Sequence, residues 1–211
     1  GVVSGMNYEG LTVTINAGKS KVPLAAKTPI SLLTKEILQF SSTVEEAITI
    51  AKKRQVFVSE SIMVGSAKDR RAVIIEVAPD NFGVYEVSDS AYLICTNHFQ
   101  SQRYQQESRN LSQIAEGASV YRHEKLKQLL QQEEKLNPRK MADILRNKEG
   151  LNGKSIGYGN EKALNQLLAH HSVIFSPEQK KIWVSSSPYQ LGEMLCYDLN
   201  DIFGKQPAPG K

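Results

Sequence analysis

Polar and apolar residues alternate along "LTVTIN" (residues 11–16), with Thr set between Leu, Val and Ile. This is the period of a half-buried strand. Just before it "VVSGM" (2–6) is also strand-like, and Gly5-Met6-Asn7-Tyr8-Glu9-Gly10 breaks the two. Residues 2–17 therefore predict a strand, a turn and a second strand. Residues 18–28 are polar with a proline and predict a loop. The period then lengthens. In "PISLLTKEILQF" (29–40), Ile30, Leu33, Ile37 and Leu38 share one helical face, and Pro29 suits a first turn. "SSTVEEAITIAKKR" (41–54) predicts a second helix. Thr43 with Glu46 three residues on makes a capping box, and Lys52, Lys53 and Arg54 suit the negative end.

Four short β-rich runs follow: "SESIMVG" (59–65), "RAVIIEV" (71–77), "GVYEVS" (83–88) and "YLICTN" (92–97). Short connections such as Lys68-Asp69 and Pro79-Asp80-Asn81 imply an antiparallel meander. Residues 98–117 are polar and read as irregular. "SVYRHEKLKQLLQQEE" (119–134) predicts an amphipathic helix with Val120, Leu126, Leu129 and Leu130 on its apolar side and Ser119 as N-cap. "NPRKMADILRN" (137–147) predicts another, with Asn137 as cap and Pro138 at the first helical position. Residues 147–160 read as a Gly- and Asn-rich loop, and "EKALNQLLAHH" (161–171) as a short helical turn. "HSVIFSPEQKKIWVSSS" (171–187) predicts a hairpin, and "EMLCYDL" (193–199) a last strand.

Runs of strands and runs of helices, rather than strict alternation, indicate an α+β class. Helix pairs between antiparallel sheets make a layered helix–sheet–sheet–helix sandwich a natural solution. We expect one domain over residues 1–200 and a loose tail over 201–211, where Gly and Pro gather.

Composition narrows the function classes. At 211 residues and 40% hydrophobic, the chain has material for one full core. No apolar run approaches the roughly 20 residues a membrane span needs. The net charge of +4 is mild, and Lys and Glu are interspersed as in "EKLKQLLQQEEKL" (124–136). That is a solvated helix face rather than a phosphate-binding stripe, which argues against nucleic acid. Cys95 and Cys196 sit in apolar contexts and read as two buried free thiols. No CxxC or HExxH spacing occurs, and no metal is expected.

Several polar residues stand where chemistry is often built. Asn7 lies at the bend of the first hairpin; it is either a turn residue or an amide donor for an oxyanion. Asn97 ends an apolar run and is followed by His98-Phe99; such positions make Asx turns or sites. Arg122 lies one turn into its helix, where the dipole disfavours it; it is either a surface arginine or one with a buried acidic partner or a substrate carboxylate. His170 and His171, read as the start of a strand, point to opposite faces and cannot serve one metal.

Taken in order, these segments resemble the penicillin acyltransferase and choloylglycine hydrolase group. "GMNYEGLTVTINAG" (5–18) resembles its strand–turn–strand, "LLTKEILQFSSTVEEAITIAKK" (32–53) its helix pair, and "YLICTNHFQ" (92–100) its T-N motif. The T-N-H-F form is closer to the penicillin acyltransferase branch. "SVYRHEKLKQLL" (119–130) resembles the helix that carries a family arginine, and "HSVIFSPEQKKIWVSSSP" (171–188) the closing hairpin.

The resemblance implies an N-terminal nucleophile hydrolase with a four-layer αββα sandwich of antiparallel sheets. It implies cleavage or acyl transfer at an amide bond, with no cofactor. A cysteine at the mature N-terminus attacks, and its own α-amine is the base. Asn7 would donate to the oxyanion, Asn97 would hold the nucleophile and the substrate amide, and Arg122 would orient the cysteine and support its charge. His98 and Phe99 would touch substrate. The family's nucleophile lies on strands before the G-M-N motif, so the resemblance implies a cysteine-bearing segment upstream of Gly1 as partner. A small-molecule acyl amide is the expected substrate, and a homo-oligomer is compatible with the reading. The alternatives are a catalytically inactive relative that keeps the acyl pocket and an unrelated α+β interaction domain.

Overall fold

Alternation does at β2 (Leu11–Ala17) what it predicts. Leu11 and Val13 are fully buried in the main core, while Thr14 and Asn16 look to the other side of the sheet. The computed structural model describes residues 1–19 and 27–204. β1 (Ser4–Met6) pairs antiparallel with β2, with Gly5 opposite Val13. The turn between them needs Gly10, whose φ of 79° is left-handed; an added Cβ there would also meet the Pro177 carbonyl oxygen at 3.0 Å. β3 (Glu60–Ser66), β4 (Arg71–Ala78) and β5 (Asn81–Tyr85) extend the meander, giving a five-stranded antiparallel sheet in the order β1-β2-β3-β4-β5.

Two helices cover one face of this sheet. α1 (Ile30–Phe40) buries Leu33 and Ile37, and α2 (Val44–Lys53) buries Val44, Ala47 and Ala51. They pack with Ile62, Val64, Val73, Ile75 and Val77 into one apolar cluster. Helices this short are marginal alone, so this burial, worth about 1.5–3 kcal/mol for each large aliphatic side chain, holds them. The capping box at Thr43 and Glu46 forms as its spacing predicts.

The middle of the chain departs from the sequence reading. Residues 92–97 form no strand. Their backbone groups are taken by side chains instead: Gln100 Nε2 donates to the Ile94 carbonyl at 2.8 Å, and the Asn97 N–H donates to Ser119 Oγ at 2.7 Å. Residues 98–117 are not irregular. They hold a 3-10 turn (Gln102–Tyr104) and α3 (Ser108–Glu116), a helix whose Leu111 and Ile114 stay exposed, so no apolar stripe announced it. α4 (Ser119–Gln131) and α5 (Pro138–Leu145) follow. Asn137 caps α5 through Lys140 N at 3.0 Å. Ser119 is not the cap of α4; that place falls to Ala118. The residues α4 buries are Ser119 and Lys125, with its leucines only half-buried, because the helix is held by hydrogen bonds to the loops at 96–98 and 149–151 and is no part of the main core.

Residues 161–171 make turns, not a helical turn, and His170 and His171 precede β6 (Val173–Ser176) rather than begin it. β6, β7 (Lys181–Ser185) and β8 (Met194–Asp198) form a second antiparallel sheet in that order. β8 is its edge and has exposed side chains on both faces, so Cys196 is exposed rather than buried; Cys95 is half-buried, and both thiols are free. Part of the expected tail is helical, α6 (Leu199–Phe203), and residues 205–211 lie outside the described ones. The chain is thus α+β, with two antiparallel sheets and six α-helices among the described residues. None of these helices is long and apolar enough to cross a membrane.

Candidate active site

A cavity of about 300 Å³ opens between β1, β2 and the entry to β6. Ser4, Thr14 and Asn16 reach it from the sheet face opposite α1 and α2. Cys95 and Thr96 line it from the 92–97 segment, and Arg122 and Leu126 from successive turns of α4. Leu145, Leu164, Ala169 and Val173 make an apolar wall, and His171, Ser172 and Gln190 add polar groups beside it. The cavity therefore suits a ligand with one apolar and one polar part.

Arg122 carries the strongest electrostatic signal. Its Nη1 donates to Asn97 Oδ1 at 3.0 Å, and its Nε is buried without a partner among the described residues. Burial pushes its pKa down, while the charge of Glu161 acts the other way. A buried guanidinium with a spare N–H has a donor suited to an anion or a carbonyl oxygen. Asn97 stands behind Arg122 rather than in the cavity wall. Its Nδ2 donates to the Ala17 carbonyl at 3.0 Å, so one residue ties the end of β2 to α4.

Two further residues of the cavity escaped the sequence reading. Asn16, the last polar position of the β2 alternation, has no side-chain hydrogen bond among the described residues. Its signal was available: it lies two residues from Thr14 and so shares its face. Ser172 Oγ is buried in the wall without a partner among the described residues, which nothing in the local sequence foretold.

Other expected site residues are placed elsewhere. Asn7 does not line the cavity. Its Oδ1 accepts from Leu11 N at 2.9 Å, and its Nδ2 donates to Leu38 O at 3.0 Å and Ser41 O at 2.7 Å. Both amide protons are spent on the C-terminal carbonyls of α1, leaving none for an oxyanion. Asn7 is a staple between hairpin and helix. His98 and Phe99 also turn away from the cavity, so neither is positioned to touch a ligand there. His98 is buried, with Nδ1 2.9 Å from Ser119 Oγ and 3.2 Å from Thr96 Oγ1. Burial, with His123 and Arg122 nearby, pushes its pKa down to about 4, so it is neutral. Phe99 packs on Tyr104, ring centroids 4.2 Å apart, and its backbone is clamped by Asn110.

Cys95 lines the cavity but is a poor nucleophile, because burial pushes its thiol up to about 12. Beneath the segment lies Glu76, fully buried on β4, whose carboxylate accepts from Gln100 N at 2.5 Å and Ser101 N at 3.0 Å. It anchors the chain that carries Thr96 and Asn97.

The family model described as acyl-coenzyme A:6-aminopenicillanic acid acyl-transferase matches residues 1–188. No curated protein matches the chain.

Proposed function

The chain belongs to the acyl-coenzyme A:6-aminopenicillanic acid acyl-transferase family, and from that premise we propose that it forms the acyl-transfer site of an N-terminal nucleophile enzyme. The reaction is hydrolysis or acyl transfer at an amide bond of a small acyl compound. The nucleophile is a cysteine at the mature N-terminus of a segment preceding Gly1, with its own α-amine as base. The completed fold is a four-layer αββα sandwich. Support for it comes from α1 and α2 on one face of the five-stranded sheet, from α5 packed on β6, and from the cavity between β2 and β6.

The observation that carries this reading is the unpartnered buried Nε of Arg122, aligned through Asn97 in a cavity with one apolar wall. Attack on an acyl carbon needs a thiolate, and a fixed cation beside the thiol favours it. The tetrahedral intermediate then needs preorganised donors. Asn16 replaces Asn7 as the amide suited to that task, since its side chain is uncommitted in the cavity. Asn97 stands outside the cavity wall and acts first by holding Arg122; the second proton of its Nδ2, beyond the bond to Ala17, is left for the cysteine-bearing segment that would complete the site. Leu126, Leu145, Leu164 and Val173 would take the acyl group, leaving the cleaved bond toward the polar side.

The test is N-terminal sequencing of the full-length protein as purified, followed by a panel of acyl amides and acyl thioesters. A mature N-terminal cysteine whose alkylation abolishes turnover supports the mechanism. An intact gene product without that cysteine refutes it. Ligand binding without turnover would then favour an inactive relative that keeps the acyl pocket, consistent with the unreactive Cys95.

A further inference from the structure

Ser119 is 0% exposed, yet it sits in the first turn of α4 without capping it. Its hydroxyl serves three neighbours. Oγ lies 2.7 Å from Asn97 N, 2.9 Å from His98 Nδ1 and 3.0 Å from Thr96 Oγ1. The Asn97 N–H can only donate, so Oγ accepts there. Neutral His98 can take the serine's single proton at Nδ1, and the Thr96 hydroxyl can donate to the remaining lone pair of Oγ. Every valence of the serine is then used, inside a site closed to water.

Ser119 and Arg122 lie three residues apart on α4 and so share a face. Both bind Asn97: Ser119 takes its backbone N–H, and Arg122 donates to its side-chain oxygen. Among the described residues, that oxygen is the only hydrogen-bond partner of the Arg122 side chain. The orientation of the guanidinium in the cavity therefore depends on Asn97, and the backbone of Asn97 depends on Ser119. We propose that Ser119 is a positioning residue, which holds Asn97 and through it aims Arg122 into the cavity. This rests on the reading of the cavity as an acyl-transfer site.

The experiment uses the full-length protein and two independent readouts. The first needs no activity: hydrogen exchange at the Asn97 amide and the NMR signal of Arg122 Nε–H. In Ser119→Ala we expect the Asn97 amide to exchange at least about tenfold faster and the Arg122 signal to shift or broaden. Unchanged signals would overturn the proposal. The second is a double-mutant cycle on turnover. Ser119→Ala should lower kcat about tenfold or more with KM near its original value, and Ser119→Thr should restore much of the loss. Added to Asn97→Ala, Ser119→Ala should cost nothing more. Losses that multiply would mean that Ser119 acts independently of Asn97 and would sink the idea. If Ser119→Ala fails to fold, Ser119→Cys, whose sulfur is somewhat larger and a much weaker acceptor, carries the same expectations. If the parent protein turns over no acyl compound, the functional reading fails, and the exchange readout alone decides the positioning role.

Discussion

Arg122 and Asn97, 25 residues apart in sequence, meet through a 3.0 Å hydrogen bond from Nη1 to Oδ1 at the edge of the cavity. The bond fixes the plane of the guanidinium and leaves Nε free for another acceptor. A planar fork can do this and a point charge cannot.

Arg122→Lys in the full-length enzyme should therefore lose about 10²-fold or more in kcat although the charge remains. Thermal unfolding should move little. Steady-state kinetics beside a melting curve decide it; near-normal turnover in the lysine variant would show that charge alone suffices.

Asn7 and Asn16 should separate cleanly. Asn7→Ala removes three hydrogen bonds, two that tie the first hairpin to the end of α1 and one that closes the hairpin turn itself, and should cost about 2 kcal/mol of stability in denaturant unfolding. Asn16→Ala removes none among the described residues, so its stability should hold while kcat falls about 10²-fold. The reverse pattern would return the oxyanion role to Asn7.

His98 gives a pH signature. Its native pKa is depressed to about 4, against about 6.5 when unfolded. Above pH 6.5 both states are neutral and this group adds no pH dependence. As pH falls from 6.5 toward 4 the unfolded state gains a proton that the native state refuses, so stability drops, by on the order of 3 kcal/mol. Below 4 the effect levels off. The sign for His123 is the same, since burial also lowers its pKa. Denaturant unfolding across pH 4–7 should show a flatter profile for His98→Gln than for the parent; superimposable slopes would contradict the buried neutral imidazole.

Ser172→Ala tests the far wall. The Ser172 hydroxyl has no partner among the described residues, so its loss should leave stability within about 0.5 kcal/mol. If it contacts substrate, KM should rise with kcat unchanged, the mark of uniform binding lost. Unaltered KM across the acyl panel would remove Ser172 from the binding surface.

Much of the frame was legible in the chain. The alternation at Leu11–Ala17, the capping box at Thr43 and Glu46, and the Asn137-Pro138 start of α5 are all read within a few residues. The 92–97 segment was not legible. "YLICTN" has the composition of a strand, but side chains of Gln100 and Ser119 take its backbone groups in place of a neighbouring strand. α3 was missed for the opposite reason, since its apolar residues do not face the core.

From the chain alone came the α+β class, most of the strands and helices outside residues 92–117, and a set of motifs in register, because periodicity and capping are local and need only neighbouring residues. The tertiary structure alone decided which polar residues work together. Asn7 and Asn16 are both hairpin asparagines, separated by nine positions. Packing of α1 against the hairpin spends the amide of Asn7 on two helix carbonyls, while the pleat of β2 turns Asn16 to the opposite face, toward Arg122. A hydrogen-bond donor is available for chemistry only where folding leaves it uncommitted. That accounting is made across the sheet, between residues the sequence holds far apart.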